Sequence, residues 1–234
     1  MTRAKLRKSG YKLLIGYAAA PVIHGLIIFS CAGRTDLPWI WIYLVVNFIG
    51  LVGGILPVCA RNPELVNRRG DFRRAKDTKP WDRWLIMVYG IFSCYLMPAV
   101  AGLDVGRYHW SEMGPGAAVA GIAGFLAGSA LLTWSMLRNT HFETTVRIQT
   151  DRGHSVVTTG PYRFVRHPGY VGAIIWNLTT PMMTRSAAAF IPAIAGVAVL
   201  VIRTSLEDRT LQRELRGYTE YTRKTKYRLL PGLW

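Results

Sequence analysis

Three observations predict an all-α membrane fold. Half of the 234 residues are hydrophobic and the mean hydropathy is +0.19, yet the formal net charge is +16. The charges collect in blocks between long uncharged runs. That pattern belongs to a polytopic transmembrane helical bundle, and the runs are too long and too unalternating for barrel strands. The expected architecture is one integral membrane domain, 1–234. Within it, 1–138 forms a four-span bundle and 139–234 forms a polar loop, a C-terminal helical hairpin and a cytosolic helix.

The four long spans are expected at about 11–31, 37–60, 84–103 and 115–138. Each is near the ~20 residues that cross ~30 Å of hydrocarbon at ~1.5 Å per residue. The first follows a basic stretch, Met1 to Lys12, and exceeds the apolar core of a signal peptide, so it reads as a retained span. The region 171–202 is apolar but interrupted by Thr179-Thr180-Pro181 and Thr184-Arg185-Ser186. Pro181 and Arg185 predict a turn there, with a first arm at about 171–183 that is short for a full crossing.

Orientation follows from Lys and Arg. Residues 1–12 hold five, 61–83 eight, 138–170 five and 203–234 eight, whereas Arg34, Arg107 and Arg185 lie at the opposite ends of the spans. The positive-inside rule places both termini and the two long loops in the cytoplasm. The excess charge suits anionic lipid headgroups, so nucleic acid is not an expected partner. Cys31, Cys59 and Cys94 all sit in apolar runs and read as packed thiols. Gly121, Gly124 and Gly128 share one face of the fourth span and permit close helix packing, within the chain in preference to a dimer interface.

Chemistry is confined to three cytoplasmic segments. In 61–83, Asn62-Pro63-Glu64-Leu65 reads as a helix start. Arg68, Arg69, Arg73, Arg74, Lys76 and Lys79 follow, either as topology signal and lipid contact or as a cover over a substrate, and Trp81 and Trp84 read as interfacial anchors. The segment 139–170 carries Asn139, His141, Glu143, Gln149 and the run His154-Ser155-Val156-Val157. Gly160-Pro161-Tyr162 and Arg166-His167-Pro168-Gly169-Tyr170 follow. His167 precedes a proline and is presented from stiff backbone, while Gly169 and Gly172 allow backbone to approach a ligand. His141, His154 and His167 match no zinc spacing, so no metal is expected. In the third segment Arg203, Glu207 and Leu211 share a helix face. By spacing alone that is an ordinary Arg–Glu pair. The hairpin, however, returns them beside the His-Pro loop and implies a shared polar pocket.

The pattern Thr159-Gly160-Pro161-Tyr162, Arg166-His167-Pro168-Gly169-Tyr170-Val171-Gly172, Arg203, Glu207-Asp208, Leu211, Tyr218 and Tyr221 resembles the isoprenylcysteine carboxyl methyltransferase family, over about 149–232. Asp208 stands where members often have a second glutamate, and Leu215-Arg216-Gly217-Tyr218 departs from their usual Phe-Gly element. The Asn-Pro-Glu-Leu loop resembles bacterial members and implies a bacterial inner membrane. The resemblance implies S-adenosylmethionine as cofactor, with S-adenosylhomocysteine as product. It implies that Gln149, His154, Ser155, Val156, Val157, Tyr162, His167, Pro168, Gly169, Tyr170 and Glu207 hold that cofactor and that Arg203 faces an acceptor carboxylate, so that Arg203 and Glu207 are the catalytic pair. The implied acceptor is a lipophilic or lipidated carboxylate, methylated to an ester. A phospholipid amine N-methyltransferase, an NADPH-dependent sterol-type reductase and a non-catalytic membrane scaffold remain open. The reductase is suggested by the ending Lys226-Tyr227-Arg228-Leu229-Leu230-Pro231-Gly232.

Overall fold

The computed structural model describes residues 5–72 and 77–234. Arg3 of the basic N-terminal stretch, and Arg73, Arg74 and Lys76 of the basic loop, lie outside the described residues. The described chain is helical, with no strand among those residues. Eight helices run in order: α1 (Lys8–Ala32), α2 (Pro38–Arg61), α3 (Pro63–Gly70), α4 (Pro80–Tyr108), α5 (Pro115–Arg138), α6 (Pro168–Thr184), α7 (Phe190–Glu214) and α8 (Tyr218–Lys224). Prolines open α2, α3, α4, α5 and α6, where their missing N–H has no intrahelical partner to lose. Five helices, α1, α2, α4, α5 and α7, are long and apolar enough to cross a membrane. Large side chains such as Ile15, Leu26, Val45, Leu56, Val119 and Ile191 stand exposed along them, as they do where lipid is the solvent.

The third span is longer than the expected 84–103. It starts at Pro80 and reaches Tyr108 through two π-helical stretches, Ile91–Leu96 and Leu103–Tyr108. The first precedes Pro98, which cannot donate to the preceding turn. The hairpin turns at the later of the two residues expected to break it. The chain does not turn at Pro181; α6 continues through it to Thr184. The Thr179 and Thr180 hydroxyls donate back to Ile175 O (2.7 Å) and Trp176 O (2.8 Å), and neighbouring helices supply the packing that tolerates proline in such a segment. The turn falls at Arg185, which takes a left-handed conformation (φ 60°), with its N–H donating to Met182 O and that of Ser186 to Pro181 O.

At this end of the bundle the buried Asp104 carboxylate accepts from Ser111 N (2.8 Å), Ser111 Oγ (2.5 Å) and Ser186 Oγ (2.5 Å). One carboxylate therefore ties the end of α4, the approach to α5 and the hairpin tip. The 17 residues of α6 rise ~26 Å and reach the level at which α4 and α5 are connected.

α5 and α6 run antiparallel in close contact. Gly121 faces Met182 and Met183, Gly124 faces Thr179, and Gly128 faces Gly172 and Ile175. The glycine stripe of the fourth span is therefore used within the chain. A Cβ on Gly172 would lie 2.8 Å from Gly128 O, closer than backbone permits. This contact brings the start of α6, and with it the His-Pro segment, to the end of α5.

Candidate functional site

A cavity of about 320 Å³ opens where the 139–170 segment crosses the ends of α4, α5, α6 and α7. One part of its wall is polar, with His141, Glu143, Arg147, Gln149 and His154; another is apolar, with Ile86, Leu132, Trp176 and Leu200. Of the expected cofactor residues, Gln149, His154, Ser155, Val156, Val157, Tyr162, His167, Gly169, Tyr170 and Glu207 line it, as does Arg203. Pro168 does not reach the wall; it begins α6.

The segment is shaped by its own polar groups. Gln149, 2% exposed, donates from Nε2 to His141 O (2.8 Å), and its Oε1 meets His141 Nδ1 (3.2 Å) and Arg152 Nη1 (3.1 Å). The His141 and His154 rings lie against each other, centroids 4.6 Å apart and planes tilted by 33°. Burial, followed by the neighbouring His141 and arginines, lowers His154 to about 4; burial also lowers His141. Both rings are thus neutral at pH 7 and present aromatic surface without charge. Arg147 is clamped by Glu143 (2.8 Å) and Asp151 (2.9 Å), and these bonds, that to Glu143 foremost, hold it charged well above its ordinary range.

The His-Pro segment is held from behind by a buried hub. Asp208, 0% exposed, accepts the Arg166 fork (2.7 and 3.0 Å), Arg228 Nε (2.9 Å), Tyr218 OH (2.9 Å) and Gln212 Nε2 (2.8 Å). His167 Nε2 lies 3.2 Å from the same carboxylate, so this ring is engaged with Asp208 at the cavity edge. Backbone bonds from Arg166 N to Tyr227 O (2.9 Å) and His167 N to Arg228 O (3.0 Å) seat the segment on the C-terminal residues. Tyr221 OH donates to Tyr162 O (2.5 Å). Burial pushes Tyr221 up to about 12, and burial with Asp208 pushes Tyr218 well above the phenol range, so both stay protonated donors. The shorter acid at position 208 therefore makes a complete set of bonds. Among the described residues, no group of three His, Cys, Asp or Glu is placed to hold a metal ion.

Arg203 and Glu207 share a wall as their spacing implies, but they are not an ion pair. Glu207 accepts from Tyr170 OH (2.5 Å). Arg203 pairs with Asp82, at 2.6 Å from Nε to Oδ1 and 3.3 Å from Nη2 to Oδ2, donates to Thr144 O (2.7 Å) and lies over the Tyr170 ring (5.4 Å). Asp82, 0% exposed, also accepts from Val146 N (2.8 Å). Sequence reasoning missed this residue. An acid in the first turn of a span is ordinary at the positive end of a helix dipole, and its partner lies 121 residues away. The 61–83 loop also reaches the site: Arg69, on α3, lines the cavity and donates to Phe142 O (3.0 Å) and Tyr17 OH (3.4 Å). The helix start read at Asn62 is present, its side chain accepting from Leu65 N (3.0 Å).

Residues 119–213 match the model of the isoprenylcysteine carboxyl methyltransferase (ICMT) family. Protein-S-isoprenylcysteine O-methyltransferase B of Arabidopsis thaliana is 28% identical over 122 residues, which is 50% of this chain and 59% of that protein. The Rattus norvegicus protein-S-isoprenylcysteine O-methyltransferase is 29% identical over 97 residues, 41% of this chain and 32% of that protein. The match thus spans 59% of the length of the Arabidopsis relative. A solved structure of the eukaryotic intramembrane Ras methyltransferase ICMT aligns over 97% of this chain and 98% of that one, with a TM-score of 0.47 and 15% identity.

Proposed function

We propose that this chain, an integral membrane protein that carries an ICMT-family segment at residues 119–213, transfers a methyl group from S-adenosylmethionine to a lipophilic carboxylate. The observation that carries the reading is the coincidence of one cavity, partly polar and partly apolar, with the residues the family pattern selects. At about 320 Å³ it lies at the lower end of small-molecule sites.

The donor set fits the cofactor. Glu207 offers a carboxylate, and Tyr170 and Tyr218 offer ring faces, to a positively charged ligand. The neutral rings of His141 and His154 add aromatic surface without repelling it. When bound, the cofactor supplies a methyl carbon on a sulfonium that is already a good leaving group.

The protein's own work is alignment and exclusion of water. A carboxylate acceptor is ionised at pH 7, its ordinary value being about 4, so no general base is required. Arg203, fixed by Asp82, is a cation on the wall that the acceptor group faces, and Glu207 holds the cofactor. The apolar wall of Leu132, Trp176 and Leu200 receives the lipid portion. By the charge distribution, the polar mouth and both termini face the cytoplasm.

The test is transfer of radiolabelled methyl from S-adenosylmethionine to N-acetyl-S-farnesylcysteine by the protein in lipid vesicles. Base-labile label released as methanol supports ester formation. Base-stable label, or no transfer to this acceptor, would count against a carboxylate acceptor.

A further inference from the structure

Four arginines line the cavity: Arg69, Arg147, Arg166 and Arg203. Three are neutralised at short range, Arg147 by Glu143 and Asp151, Arg166 by Asp208, and Arg203 by Asp82. Arg69 makes no ion pair among the described residues, and residues 1–4 and 73–76, which lie outside them, contain no Asp or Glu. Among the described residues its guanidinium bonds only to neutral oxygens, Phe142 O and Tyr17 OH, and lies 5.4 Å from the Phe142 ring centroid. Its Nε–H is buried with no hydrogen-bond partner among the described residues. A buried donor without a partner costs about 1–3 kcal/mol, more when charged, so such a group is retained where something else satisfies it.

Resting on the methyltransferase reading above, we propose that Arg69 binds the carboxylate of a ligand in this cavity. An anion in the cavity beside Arg69 supplies the missing counter-charge. Arg203 cannot supply it alone, because Asp82 already balances its charge. Phe142 O and Thr144 O, two residues apart in the loop, are held by Arg69 and Arg203 respectively, so both cations are fixed to the same stretch of wall. The loop oxygens orient each guanidinium, and the Arg69 O in turn accepts from Thr144 Oγ1 (3.4 Å). Two carboxylates meet this description, that of the acceptor and that of the methionyl part of the cofactor.

The experiment uses the full-length protein in detergent or vesicles, wild type against Arg69→Gln. S-Adenosylhomocysteine affinity is measured by calorimetry, and KM is measured for N-acetyl-S-farnesylcysteine. Inhibition by that acceptor is then compared with inhibition by its carboxamide, which keeps the shape and loses the charge. A KM rise and a loss of preference for carboxylate over carboxamide of about 10- to 100-fold, with cofactor affinity unchanged, places Arg69 on the acceptor. A comparable fall in S-adenosylhomocysteine affinity places it on the cofactor carboxylate. Both quantities unchanged overturn the proposal. Wild-type protein that neither binds S-adenosylhomocysteine nor methylates would overturn instead the reading on which it rests. If Arg69→Gln does not purify folded, Arg69→Met carries the test: it also removes the charge at similar length, and unchanged carboxylate discrimination and cofactor affinity in that variant equally overturn the proposal.

Discussion

Asp82→Ala should destabilise this protein more than any exposed charge deletion, and removing Arg203 as well should restore part of the loss. Asp82 is fully buried and the Arg203 side chain is 13% exposed, so their attraction is little screened. The substitution leaves a guanidinium facing Thr144 O alone and frees Val146 N–H. Breaking a buried pair by removing one partner costs about 3–5 kcal/mol, because the remaining charge stays desolvated. At about 2–4 °C per kcal/mol for a chain of this length, that is a fall of roughly 6–20 °C in the thermal midpoint. Thermal unfolding of detergent-purified Asp82→Ala, Arg203→Met and the double variant, followed by near-UV dichroism, gives the coupling. The double variant should be more stable than the sum of the single losses by about 1–3 kcal/mol. Strict additivity would refute the argument that each group is held in place by the other.

Three further outcomes follow from the geometry. Gly172→Ala should lower the midpoint by an amount equivalent to about 1–3 kcal/mol, since its Cβ meets Gly128 O at 2.8 Å and two helix backbones must separate; Gly16→Ala, with nothing within 4 Å, is the control, and equal midpoints would contradict the packing described. Glu207→Gln should weaken S-adenosylhomocysteine binding about tenfold, measured by calorimetry, while Glu214→Gln, paired with Lys79 outside the cavity, should leave it unchanged; equal affinities would remove Glu207 from the cofactor. His154 is held near 4 against an ordinary value of 6.5, so the unfolded chain takes up its proton first. Its stability contribution is intact above pH 6.5 and is lost as pH falls toward 4; midpoints between pH 7 and 4.5 should decline less steeply in His154→Gln than in wild type, and parallel curves would count against a neutral, buried ring.

Much of this arrangement is legible in the residue order, because the bilayer imposes strong periodicities. Span lengths are set by hydrocarbon thickness, so α1, α2 and α5 fall close to their expected ranges. The hairpin turn is expected over Pro181 and Arg185 and falls at Arg185; Pro181 alone does not break α6, where neighbouring helices supply the packing that tolerates it. The His-Pro stretch was readable because His, Arg and Tyr gather between glycines at a span boundary, whereas Gln149 and the His154–Val157 run were reached through the family resemblance. The charges were not. Arg203 and Glu207 look like a pair at their spacing, yet tertiary contacts give one to Asp82 and the other to Tyr170. Arg69 is one of eight basic residues in 61–83, and nothing in its spacing marks it as the one that lines the cavity and bonds to Phe142 O and Tyr17 OH.

The most direct measurement of the central claim is calorimetric titration of the purified protein with S-adenosylhomocysteine, with NADPH titrated in parallel. The account predicts binding of S-adenosylhomocysteine at micromolar concentration and none of NADPH. Binding of NADPH alone, or of neither, would contradict it.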